Sequence, residues 1–144
     1  MKYSGKGCCY MTRETKEWYD LAIMDMGVAK HLKSTYYPEP IEIICYHCQQ
    51  AAEKGIKALI IHFGAEGGMP RSHDLSFLLN QIKNKVHIDD KYYDYADTLT
   101  PYGVSIRYPN ELFLEEKHAI KAIQYADEII QWVEGIVELS ESRD

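Results

Sequence analysis

The sequence predicts an all-α protein, an antiparallel bundle of about five helices, three long and two short. Three observations point there. Apolar residues recur at intervals of three and four over most of the chain. Proline and glycine stand between the periodic stretches rather than inside them. No segment alternates as a half-buried strand would; "ALIIHF" is apolar enough for one but falls within a helical register. At 144 residues, 46% hydrophobic and 26% charged, the chain has the size and balance of one globular domain with one core. The expected division is a flexible leader over 1–11, a single helical domain over 12–140 and a tail over 141–144.

The first helix begins at Thr12, an N-cap residue with acidic side chains in the turn after it. Trp18, Leu21, Ala22, Val28, Ala29 and Leu32 form its expected inner face, with Asp25 set inside that stripe. Pro38 and Pro40 end it. The second helix spans about Ile41 to Phe63, with Ile41, Ile44, Cys45, Cys48, Ala52, Ile56, Leu59 and Phe63 inward. Gln49, Gln50, Glu53, Lys54 and Lys57 occupy much of the remainder, and Gly64 stops it.

A short third helix runs through Leu75, Leu78, Leu79 and Ile82, with Ser72 as the expected cap and His73 and Asp74 in its first turn. A fourth, about Asp89 to Leu99, aligns Tyr92, Tyr95, Ala96 and Leu99. The last helix is expected from about Asn110 to Leu139, opened by Pro109. Its stripe is Ala119, Ala122, Ile123, Ala126, Ile129, Ile130, Val133, Ile136 and Val137.

Charge and cysteine content narrow the function classes. From Tyr108 onward nine acids face three bases, so this stretch carries the whole net charge of −6. Residues 1–38 are slightly basic. A protein that coats nucleic acid shows a broad basic face, so any RNA or nucleotide contact is expected to be local. The lone Cys45-x-x-Cys48 has no second pair at zinc-site spacing, so buried reduced thiols are expected and no metal or cofactor. "GAEGG" lacks the Lys-Ser/Thr of a phosphate-binding loop and follows a helix. No apolar run reaches the length of a membrane span, and the first residues lack the apolar block of a signal peptide. The expectation is a cytoplasmic protein without membrane contact.

Three short stretches concentrate the polar residues that apolar packing does not explain. They are Gln50-Ala51-Ala52-Glu53-Lys54, His73-Asp74-Leu75 and Arg107-Tyr108-Pro109. Together with the Ala22/Asp25/Ala29 rhythm of the first helix, they resemble the HEPN family (higher eukaryotes and prokaryotes nucleotide-binding domain). The likeness runs over roughly residues 13–138. It implies a helical bundle, a homodimer, and frequent pairing with a minimal nucleotidyltransferase in toxin–antitoxin-like systems. Several branches of the family are toxins that cut RNA without a metal. Their site is an arginine followed by histidine after four to six residues, the first to hold a phosphate and the second to move a proton.

This chain departs from that spacing. Positions 112 to 114, where the histidine would stand after Arg107, hold Leu112, Phe113 and Leu114. His118 lies too far on, and Arg71-Ser72-His73 is too short. A dimeric binding module is therefore the first reading, and a divergent ribonuclease using Arg107 with His73 or His118 brought across a dimer interface is the alternative. Ligand-binding candidates are Arg107, Tyr108, Asp25, Glu53, Arg71 and Asp74. Asp25 and Glu53 lie on or beside apolar stripes, and a buried carboxylate is costly unless paired, so each is expected to meet Lys, Arg or His.

Overall fold

A computed structural model describes residues 11–65, 67–104 and 113–142, with side chains to 138. Five α-helices and no strand occur among them: α1 (Arg13–Thr35), α2 (Ile41–His62), α3 (Leu75–Asn80), α4 (Asp90–Leu99) and α5 (Glu116–Ser142). A 3-10 turn, Thr100–Gly103, continues α4.

Side-chain pairings fix how the helices run. Trp18 lies by Lys57 and Asp25 by Lys54, so α1 and α2 are antiparallel neighbours. Lys33 near the end of α1 binds Glu116 at the start of α5, and Lys30 binds Asp127. The last helix therefore runs against α1 and alongside α2 in the same sense. The chain returns between them through the segment that holds α3 and α4. There Tyr92 stacks on Trp132 at 4.8 Å and Tyr95 on Tyr125 at 4.2 Å, joining α4 to α5.

α2 is the central helix, and its surroundings explain its burial. Ile44, Cys45, Cys48, Ala52, Ile56 and Leu59 are buried as expected, but so are Gln49, Glu53, Gly55 and Lys57. Gly55 lies where α1, α2 and α5 meet: a Cβ there would lie 3.5 Å from Ile130 and 4.0 Å from Ala22. The two thiols are free; burial pushes Cys45 up to about 12 and Cys48 higher still, so neither forms a thiolate readily.

Three local expectations need correction. The buried side of α1 is Thr15, Tyr19, Ala22, Met26 and Ala29, while Leu21 and Val28 face solvent. α1 packs mainly against α2, so one narrow stripe suffices. Ser72 does not cap α3: Asp74 accepts from the Ser76 and Phe77 amides, and Ser72 Oγ accepts from Asp74 N. His73 and Asp74 thus precede the helix. Finally, α5 starts at Glu116, not Asn110; residues 113–115 are not helical. His118 Nδ1 accepts from Glu115 N at this start, a local cap that places the first turn.

Gly55→Ala should be tolerated, since its methyl meets only ordinary contact distances. Gly55→Leu should overpack the α1–α2–α5 junction and cost about 1–3 kcal/mol, read by urea unfolding.

Candidate functional site

A helix that presents Gln49, Glu53 and Lys57 at four-residue spacing carries a polar row up one side. In α2 that row is covered by the loop before α3 and by Trp18 of α1. Glu53 Oε2 accepts from Lys57 Nζ at 2.9 Å, and Glu53 Oε1 from Gln49 Nε2 at 3.1 Å. His73 Nδ1 lies 3.0 and 3.1 Å from the two carboxylate oxygens. Gln49 Nε2 also donates to the His73 carbonyl at 3.2 Å, and Gln50 Nε2 donates to Gln49 Oε1 at 2.8 Å. The Lys57 ammonium sits 5.5 Å from the Trp18 ring centroid, where the indole face adds to its stabilisation. The row is closed from the far side by Gly103, because a Cβ there would fall 2.6 Å from Gln49 Cδ.

The electrostatics follow from these contacts. Burial alone would push the Glu53 carboxyl up, yet hydrogen bonds from Lys57, Gln49 and His73 outweigh it and hold it below the usual carboxylate range. An ionised carboxylate only accepts, so Nδ1 of His73 is the donor. Its other nitrogen, Nε2, is left on a side chain that is 73% exposed. When the ring is neutral, Nε2 offers a lone pair in a fixed orientation, the arrangement of a proton acceptor.

Asp25 forms a separate cluster on the α1 side of α2. Its oxygens meet His47 Nδ1 at 3.0 Å and Lys54 Nζ at 2.6 Å. The two expected carboxylate pairings are therefore present: Glu53 with Lys57 and His73, Asp25 with His47 and Lys54. Asp74 is occupied as the α3 cap, and Arg71 is exposed beside it. His118 is not brought to this site. It stands beside Glu116, at the end of the bundle where α2 starts, while Glu53 is twelve residues along α2 from Ile41, about 18 Å at 1.5 Å per residue. Arg107, Tyr108 and Pro109 lie outside the described residues.

Sequence reasoning does not single out Gln49, Lys57, His47 and Lys54 as site residues. The four-residue spacing of Gln49, Glu53 and Lys57 is a visible signal. Their burial is not, because it depends on a loop and on a second helix.

Replacing Glu53 with Ala strands the Lys57 ammonium, which is 7% exposed, and should cost about 3–5 kcal/mol in urea unfolding at neutral pH. The double change Glu53→Leu/Lys57→Met should recover most of that loss. Because the folded carboxyl titrates low, its contribution is present above the unfolded value of about 4.3 and is lost as pH falls through the folded one. Glu53→Gln should accordingly flatten the loss of stability that sets in as pH falls below the unfolded value.

Known proteins resemble this chain over most of its length. The HEPN domain family model matches residues 15–136. A protein of Methanocaldococcus jannaschii named "Putative toxin MJ1304" is 28% identical over 125 residues, covering 80% of this chain and 78% of that protein. The crystal structure of ST0689, an archaeal HEPN homologue, aligns with a TM-score of 0.68 and 25% identity over 88% of this chain and 99% of that one. TT1696 from Thermus thermophilus aligns at 0.70 and 23% identity, over 86% of this chain and 98% of its own. A HEPN domain protein from Thermotoga maritima, TM0613, gives 0.64 and 23%, over 85% and 98%. With a family match across most of its length and the same helical fold, this chain belongs to the HEPN family.

Proposed function

We propose that this chain is a dimeric binding module of a toxin–antitoxin-like pair, partnered by a minimal nucleotidyltransferase and acting in the cytoplasm. The observation that carries the reading is the outer side of α1. It turns Leu21, Met24 and Val28 to solvent although the helix has a complete inner face of its own. Large apolar side chains grouped on a helix surface are characteristic of contact with another protein. The kinship with a protein named as a toxin supports the type of system. Among the described residues no helix is long and apolar enough to cross a membrane.

A second reading, a metal-independent ribonuclease built around Arg107, is supported by the Glu53–His73 pair. It supplies an oriented imidazole that does not depend on the missing Arg-x4-6-His spacing. In it, Arg107 holds a phosphate, Tyr108 stacks or donates beside it, Arg71 adds charge, and His73 moves the proton.

Co-expression with the products of neighbouring genes should yield a co-purifying nucleotidyltransferase-like protein, and absence of any such gene or complex would overturn the pairing. Purified protein with chelator and RNA should leave the RNA intact and growth of the host unharmed. Cleavage lost in both Arg107→Ala and His73→Ala would replace the first reading with the second.

A further inference from the structure

Two histidines of this chain turn Nδ1 to a carboxylate, and they differ in what is left over. His47 lies 3.0 Å from Asp25, which also holds Lys54, and its side chain is 26% exposed. His73 lies 3.0 Å from Glu53, a carboxylate only 6% exposed, while its own side chain is 73% exposed. Its backbone is held as well, because Gln49 Nε2 donates to the His73 carbonyl at 3.2 Å. Ring and chain are fixed from the inside, and the free nitrogen, Nε2, is left to solvent. His118 is the counter-example. Its Nδ1 accepts from Glu115 N at 2.9 Å, so the neutral ring carries its proton on Nε2 and has no lone pair there. His31 and His87 are exposed without a carboxylate partner among the described residues.

The charge around His73 suits a phosphate. Glu53 alone would repel one, but Lys57 Nζ stands 2.9 Å from its other oxygen and offsets its charge. Arg71 is exposed and forms no ion pair among the described residues. It stands two positions before His73 with half-buried Ser72 between them, so both side chains are on the solvent side of the segment. Asp74, the adjacent acid, is engaged as the α3 cap. A guanidinium in this position can meet phosphate oxygens by charge-assisted hydrogen bonds.

We propose that His73 is a phosphoryl acceptor, its Nε2 taking the group from a small acyl phosphate that Arg71 helps to hold. The Nε2 lone pair attacks phosphorus. The N–P bond forms as the P–O bond to the acyl group breaks, and the leaving carboxylate keeps the bonding electrons. The ring gains a positive charge in that step while Nδ1 keeps its proton. Glu53, fixed against that proton, stabilises the charge as it develops. An acyl phosphate fits better than a nucleoside triphosphate. Its leaving group is good enough for an oriented nucleophile to suffice, whereas a triphosphate needs a cradle, and "GAEGG" lacks the lysine of one. The phosphoryl group occupies the lone pair that a proton acceptor needs, so the two uses of His73 exclude each other. Acceptance of the group depends on neither functional reading above.

The test is incubation of the full chain with acetyl phosphate, followed by intact mass and by fragmentation at neutral pH to locate the group. One phosphoryl group should appear on His73, labile to acid and stable to base as a P–N bond is. His31 and His87 should react about tenfold more slowly or less. His73→Ala should abolish the modification. Glu53→Gln should slow it about tenfold with circular dichroism unchanged, since the amide still accepts from Nδ1 but carries no charge. If that variant fails to fold, Arg71→Ala decides. Its reaction with acetyl phosphate should fall several-fold, while His73 should keep its rate with diethyl pyrocarbonate, an uncharged reagent. No phosphoryl group, or one spread evenly over the exposed histidines, would overturn the proposal. So would an Arg71→Ala chain that keeps the native rate with acetyl phosphate or loses both reactions together.

Discussion

A carboxylate taken out of water has to be neutralised where it stands, and Glu53 is the point from which much of this bundle is organised. Its oxygens receive Lys57 from one turn further along α2, Gln49 from one turn back, and His73 from a loop twenty residues away in sequence. None of the three is free to move alone. Lys57 is confined under Trp18, Gln49 is pressed by Gly103 and also holds the His73 carbonyl, and the loop is further fixed by the Asp74 cap of α3. A buried ion pair contributes little net stability by itself. Its effect here is positional: it sets the path of the loop before α3 and aims one imidazole outward.

The second polar cluster acts differently. Asp25 joins α1 to α2 through His47 and Lys54, both partly exposed. Such contacts add modest energy but specify register, since a slip of one turn between the helices would part Asp25 from both partners. Apolar side chains alone specify register weakly, because Ala22 and Ala29 present much the same surface to α2.

The number and kind of helices are legible in the sequence because period and punctuation are local properties. Proline after Thr35 and glycine after Phe63 end helices where the structure ends them. What cannot be read is how many neighbours each helix has. Spacing assigns Leu21 and Val28 to the core, yet α1 lies against one main partner and buries a narrower stripe. Spacing leaves Gln49 and Lys57 outside the inner face of α2, yet neighbours on several sides enclose both together with Glu53. The start of α5 differs for a third reason: Pro109 is a good opening residue in isolation, but the helix begins where the His118 ring can accept from the Glu115 amide. Of the site, the Glu53 and Asp25 pairings follow from the cost of burying charge, although the identity of the partners requires the fold.

The two tryptophans stand in different parts of this architecture. Trp18 looks onto the Lys57 ammonium, whereas Trp132 is stacked on Tyr92 between α4 and α5. Indole emission responds to a nearby charge and to a stacked ring in different ways. The chain therefore carries two native optical reporters, one tuned to the buried charge row and one to the seating of the crossover against the last helix. A change confined to the row alters one signal and spares the other, so local rearrangement becomes separable from global unfolding without any added label.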